Sequence, residues 1–170
     1  MISVFDMFSI GIGPSSSHTV GPMKAAKLFV DHMKEKGLFD KTTKVRCELF
    51  GSLGQTGIGH GTGKAVILGL YGETPEDIPV EKIDNLLDEV VKTEHLSLDG
   101  VKKVSFPKSD AIIYHRRKTL PAHANAMTLY AYQDDELIFE ETYYSIGGGF
   151  IVQDCDFEKE KDKALSLHSN

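Results

Sequence analysis

Cysteine is scarce in this chain: there are two, Cys47 and Cys155, far apart and in no CxxC or Cys/His spacing. That argues against a disulfide scaffold and against a zinc site built from this chain alone. Basic charge is also short, with 19 Lys and Arg against 25 Asp and Glu and a formal net charge of −6. Nucleic acids and anionic membranes select for basic patches, so neither is an expected partner. No apolar run approaches transmembrane length, and the opening MISVFDMF lacks the basic region of a signal peptide. A cytoplasmic protein without a membrane segment is therefore expected. Repeats and low-complexity segments are missing as well. What remains is a 170-residue chain, 41% apolar and 26% charged, which is enough for one domain with a real core or for two small lobes.

Periodicity sets out the elements. Pro22 to Lys36 reads as an amphipathic helix, with Met23, Ala26, Phe29, Val30 and Met33 at helical spacing and Gly37 as its stop. Thr43 to Phe50 alternates Val45, Cys47 and Leu49 and reads as a strand, with Cys47 as a buried thiol. A short apolar helix is expected over Lys64 to Leu70. A charged-faced helix follows over Val80 to His95, its stripe made by Val80, Ile83, Leu87, Val90 and Val91. Val101 to Phe106 and Ala111 to His115 read as strands. Ala126 to Tyr132 and Glu136 to Ser145 read as a hairpin around Asp134-Asp135, and Phe150 to Val152 resumes after a glycine break. The expected class is α+β, a mixed and mostly antiparallel sheet packed against helices. Asp156 to Lys163 is a charge run that reads as a linker.

The glycines are not spread evenly. Twelve of the 16 fall within 11–21, 51–63 and 147–149, where they permit positive φ and close backbone approach. The first block, Gly11-Ile-Gly-Pro-Ser-Ser-Ser-His-Thr-Val-Gly-Pro22, leads straight into a helix. Free N–H groups at a helix start attract anions, hydroxyls add donors, and His18 can exchange a proton near neutral pH. His60 lies in the second block and His123 in the polar loop Leu120-Pro-Ala-His-Ala-Asn-Ala126. Several loops of one scaffold thus offer the parts of a site for a small carboxylate or phosphate.

Familiar motifs fail on inspection. Ala65 replaces the Ser/Thr of a P-loop, Ile58 stands where its first glycine belongs, no GxGxxG follows a strand, and Gly13-Pro-Ser-Ser-Ser17 is not a GxSxG elbow. Plainer readings also exist. The serines could be turn and cap residues, His60 a turn residue, and His123 a partner for a loop carbonyl. Tyr143-Tyr144-Ser145 could be strand core and edge, while His32, His95 and His168 read as solvated. The triple glycine at 147–149 is harder to dismiss, because strands avoid glycine unless a backbone must come close.

Four ordered motifs together carry a resemblance. Gly13-Pro-Ser-Ser-Ser-His-Thr-Val-Gly-Pro22, the Gly51-Ser-Leu…Thr-Gly-x-Gly-His-Gly-Thr62 block, Leu120-Pro-x-His-x-Asn-x-Met127 and Tyr143-Tyr-Ser-Ile-Gly-Gly-Gly-Phe-Ile151 resemble the β domain of iron–sulfur L-serine dehydratases. These are the single-chain bacterial L-serine deaminases that use no pyridoxal phosphate. The resemblance runs from Met1 to about Asp156. It implies that residues 1–155 form that β domain, with 156–170 a linker to an iron–sulfur α domain outside this chain. That domain would hold a [4Fe-4S] cluster on its own cysteines, with no metal ligand in this chain. The implied reaction turns L-serine into pyruvate and ammonia in amino-acid degradation and gluconeogenesis, and a homodimer is expected. Lewis-acidic iron would ease the loss of hydroxide, and a protein base would take the α-proton.

On this resemblance His60, His18 and His123 share the roles of base, acid and substrate orientation, with His60 first for the base. Ser15, Ser16, Ser17, Thr19, Thr62 and Asn125 would bind carboxylate or amino groups. Gly13, Gly21, Gly59, Gly61, Gly147, Gly148 and Gly149 would let the backbone come close. The family often carries Asp where this chain has Gly63, which leaves a polar partner of His60 unassigned. A different class stays open. The β domain also resembles the allosteric substrate-binding domain of some D-3-phosphoglycerate dehydrogenases, which would make the chain a non-catalytic module for serine or another small carboxylate or phosphate.

Overall fold

The computed structural model describes residues 17–72, 79–147 and 150–154. The first helix, α1 (Val20–Glu35), buries Met23, Ala26, Phe29, Val30 and Met33, the stripe its periodicity sets out. Strand β1 (Lys44–Gly51) follows, and its alternation is carried through: Val45, Cys47 and Leu49 are fully buried while Arg46 and Glu48 stay half-buried on the other face. Then come α2 (Ser52–His60), α3 (Thr62–Tyr71) and α4 (Val80–Thr93). The remaining strands are β2 (His95–Leu98), β3 (Lys102–Ser105), β4 (Ile112–Tyr114), β5 (Asn125–Gln133), β6 (Glu136–Gly147) and β7 (Phe150–Gln153).

One seven-stranded sheet runs in the order β2-β3-β1-β5-β6-β7, and β4 also pairs with β1. Strand β1 is parallel to β3 and β4 and antiparallel to β5, while the other pairings are antiparallel. The class is therefore α+β with a mixed, mostly antiparallel sheet. Strands β3 and β4 share one edge of β1 in succession, at Lys44 and then at Cys47 to Leu49. Pro107, which has no N–H to give a ladder, lies in the turn between them.

One face of the sheet carries the core. Phe29 and Met33 of α1 and Val66 and Leu70 of α3 join Val45, Cys47, Leu49, Leu129 and Tyr143 in one buried cluster. Phe29 also stacks on Phe139 of β6 at 5.1 Å between ring centres. Helices α1 and α3 approach so closely at Gly69 that a Cβ there would overlap the Met23 carbonyl. The opposite face is polar and bears a groove of about 480 Å³ lined by Glu48, Phe50, Lys118, Thr128, Tyr130 and Thr142 among others.

Four expectations need correction. The glycine-rich stretch after β1 is not a loop: residues 52–60 form α2, and Gly61, in the left-handed conformation, joins it to α3. The fourth helix ends at Thr93 and Glu94 turns left-handed (φ 57°), so His95 opens a strand that periodicity did not suggest. Val91 is 47% exposed and leaves the stripe; Leu86 packs against the buried Ile83 instead. His32 is not merely solvated, since its Nδ1 lies 2.7 Å from an oxygen of the buried Glu141. The charge run 156–163 and Cys155 lie outside the described residues.

Candidate functional site

Two of the expected motifs meet where α1 begins. Residues 17–19 form the turn into that helix. His18 is 8% exposed, and its ring is held between two hydroxyls: Ser17 Oγ lies 2.8 Å from Nδ1 and Ser52 Oγ 3.0 Å from Nε2. A neutral imidazole has one N–H and one lone pair, so one hydroxyl donates to the ring and the other accepts from it. The accepting hydroxyl keeps its own proton to offer elsewhere. The backbone is tied as well, because the Thr62 hydroxyl donates to the His18 carbonyl at 2.6 Å. Thr62 and Thr19 are both fully buried, and the Thr19 side chain does not cap α1.

The third motif arrives through Gly51. This residue sits at φ 58°, and a Cβ on it would run into the Ala124 carbonyl. Only glycine allows both the left-handed backbone and this contact. The Ser52 N–H then donates to that same Ala124 carbonyl at 2.9 Å, and the Gly51 N–H donates to the Lys118 carbonyl at 2.7 Å. The loop carrying His123 and Asn125 is thereby fastened to the first residue of α2. The Asn125 N–H donates to His123 Nδ1 at 3.0 Å, so a neutral His123 carries its proton on Nε2 and presents a donor there.

The fourth motif enters along the sheet. Gly51 is the register partner of Asn125, and Ala126 is that of Tyr144. One step further along this antiparallel pair, Asn125 faces Ser145. Alternation puts Asn125 on the same face as Met127 and Leu129, and Ser145 on that of Tyr143, which is the helix-bearing side. Ser145 is 1% exposed, and neither its Oγ nor the buried Oδ1 of Asn125 has a hydrogen-bond partner among the described residues. Nearly all buried polar atoms are satisfied in folded proteins, so two orphans at facing positions make this spot a candidate for a polar ligand.

Other residues stand apart from this cluster or fall outside the description. His60 closes α2, one residue before the Gly61 junction to Thr62; its side chain lies outside the described part. Ser15, Ser16, Gly13, Gly148 and Gly149 also lie outside it. Gly21 is buried in the first turn of α1. Gly59 has open space around it, and Gly147 has φ 99° at the end of β6.

Sequence reasoning missed Ser52 and Ser145. The first was hidden in a block read as loop. The second was legible in principle, since the hairpin around Asp134-Asp135 fixes what faces Asn125.

The opposite face carries its own polar network. Glu48 accepts from Tyr130 and lies 3.2 Å from His115 Nε2 and 3.8 Å from Arg46. Burial alone would raise the Glu48 carboxyl, but the Tyr130 and His115 hydrogen bonds and the nearby cations outweigh it, and the net shift is downward. Burial, with Glu48 adding to it, pushes the Tyr130 hydroxyl up. Burial likewise pushes the Cys47 thiol far up, so it is a poor thiolate ligand. Among the described residues no group of three or more His, Cys, Asp or Glu could hold a metal ion. No helix among them is long and apolar enough to cross a membrane.

Comparison with known proteins identifies the family. The family described as serine dehydratase beta chain matches residues 3–156. The L-serine dehydratase of Streptomyces coelicolor is 51% identical over 154 residues, which cover 90% of this chain and 34% of that protein. L-serine dehydratase 1 of Escherichia coli is 47% identical over 168 residues, 98% of this chain and 37% of its own. The L-serine dehydratase of Haemophilus influenzae is 44% identical, again over 98% of this chain and 37% of the relative. The chain thus spans about a third of the length of these relatives. With the family matched from end to end of the described fold, the chain belongs to the serine dehydratase β-chain family.

Proposed function

We propose that this chain is the β part of an L-serine ammonia-lyase, which converts L-serine to pyruvate and ammonia. The observation that carries the reading is the convergence of His18, Ser52, Asn125 and Ser145, from four separate segments, at one end of the sheet. The reaction removes the α-proton and the β-hydroxyl to leave aminoacrylate, which tautomerises to an imine and is hydrolysed by water. The chain must then bind a carboxylate, bind an amino group and supply a base.

The three histidines divide by their hydrogen bonds. Both ring nitrogens of His18 are engaged, which suits it to orienting a hydroxyl rather than taking a proton from carbon. Neutral His123 offers a donor at Nε2, since its Nδ1 accepts from Asn125. That favours His60, at the end of α2, as the base. Ser17 and the start of α1 provide hydroxyl and N–H donors for the carboxylate.

A [4Fe-4S] cluster belongs to this proposal, with its cysteines on a further domain of the protein. The described residues do not fit it: Cys47 is fully buried with its thiol held protonated, and no metal-binding group surrounds it. The steps assigned to this chain therefore do not run through the cluster. We expect the isolated chain to be inactive, and the whole enzyme to be a cytoplasmic homodimer.

The test uses the intact protein, reconstituted anaerobically and assayed for pyruvate with L-serine and D-serine. L-selective turnover that falls by orders of magnitude in His60→Ala, with serine still bound, supports the reading. Serine binding without turnover in the reconstituted wild type would instead favour a regulatory module, and unchanged turnover in His60→Ala would remove the base assignment.

A further inference from the structure

We propose that Asn125 and Ser145 receive the α-amino group of the substrate and so select an amino acid over the matching 2-hydroxy acid. The inference rests on the activity proposed above and adds to it the group that sets the substrate class. Asn125 Oδ1 and Ser145 Oγ are buried and without partners among the described residues. They belong to facing positions on β5 and β6, one step beyond the Ala126–Tyr144 pair, where side chains lie about 5 Å apart. Both are oxygens, and Asn125 Oδ1 can only accept.

The chemistry of the orphans picks the ligand group. An amide oxygen that can only accept, beside a hydroxyl that can also accept, matches a group with several N–H donors. An ammonium has three donors and can satisfy both oxygens at once. A ligand hydroxyl has one, so it meets both groups only if Ser145 donates to it, and it makes neither bond with the charge assistance that an ammonium brings. On the activity proposed above, the carboxylate is met separately, by the donors around Ser17 and the start of α1. The neighbours fix the pair from both sides: Gly51 is the register partner of Asn125, and Ile151 that of Ser145.

The experiment measures inhibition of the intact enzyme by L-alanine and by L-lactate, which share a configuration and differ only in amino against hydroxyl. Neither carries the β-hydroxyl that is lost. The wild type should bind L-alanine the more tightly. Ser145→Ala should narrow the ratio about tenfold, mainly by weakening L-alanine, because it removes one hydrogen bond to a charged group. Asn125→Asp should widen the ratio, since a carboxylate there pairs with ammonium. Ser145→Cys, a second small variant, should narrow it as Ser145→Ala does.

Variants that weaken both inhibitors equally, or neither, in an active wild-type background overturn this proposal alone. A wild type that forms no pyruvate and does not bind L-alanine overturns the activity as well, and the proposal falls with it.

Discussion

The His18 ring and the Ser52 hydroxyl meet at 3.0 Å across 34 positions of sequence. The contact ties the turn before α1 to the first residue of α2, and the Thr62 hydroxyl ties the same residue to the start of α3. His18 is therefore a junction between three helix starts. Its imidazole also dictates which of the two serine hydroxyls donates to the ring and which accepts from it.

Removing one arm of that junction should cost activity more than stability. Ser52→Ala loses a single neutral hydrogen bond, worth about 1 kcal/mol, so urea unfolding should shift only slightly. Turnover of L-serine in the intact enzyme should fall roughly tenfold or more, because the ring and the Ser17 hydroxyl lose their fixed orientation. Unchanged kcat/KM in a folded Ser52→Ala variant would show that the contact is purely structural.

Gly51 makes a sharper prediction about the scaffold. Gly51→Ala must place a Cβ against the Ala124 carbonyl while holding φ at 58°. A non-glycine residue in such a conformation costs about 1 kcal/mol or more before any clash is counted. The variant should lose at least about 2 kcal/mol in urea unfolding, and binding of substrate analogues should weaken with it as the 118–124 loop is pushed away. A stability equal to wild type would mean that this loop is not fastened as described.

The far face of the sheet gives a pH signature. Glu48 is held below its ordinary carboxylate value. A group whose folded value lies below its unfolded one adds stability above the unfolded value, and that gain is lost as pH falls through the folded one. With unfolded glutamate titrating near about 4.3, Glu48→Gln should be less stable than wild type at neutral pH. The gap should close progressively below about pH 4. Chemical denaturation at several pH values measures this, and a gap that stays constant down to pH 3 would show that Glu48 is not the titrating partner.

Much of the fold was legible because burial follows simple periods. Val45, Cys47 and Leu49 alternate, Ala26, Phe29, Val30 and Met33 recur at helical spacing, and the Asp134-Asp135 turn sets a hairpin. Helix α2 was not legible, since four of its nine residues argue otherwise by propensity: Gly54, Gly57 and Gly59 are poor helix formers and His60 is a weak one. Packing overrides propensity there. A Cβ at Gly54 would strike the Leu49 and His115 carbonyls, so that glycine serves the contact between helix and sheet. His32 escaped for a different reason: its partner, Glu141, is 109 positions away, and no local pattern reports so distant a contact. The site itself was half legible. Motifs named His18, His123 and Asn125, but only the strand register brings Ser145 to Asn125.

The row formed by Gly51, Asn125 and Ser145 crosses three strands drawn from the first third, the last third and the C-terminal end of the described chain. A row built this way has no local precursor. A nascent chain that ends before β5 contains neither Asn125 nor Ser145, and a partly unfolded domain that releases β6 loses Ser145 from the row outright. A ligand that bound there would therefore be linked thermodynamically to completion of the sheet. A bound ligand would protect the slowest-exchanging amides of β1, β5 and β6 together, rather than only those of the loops it touches.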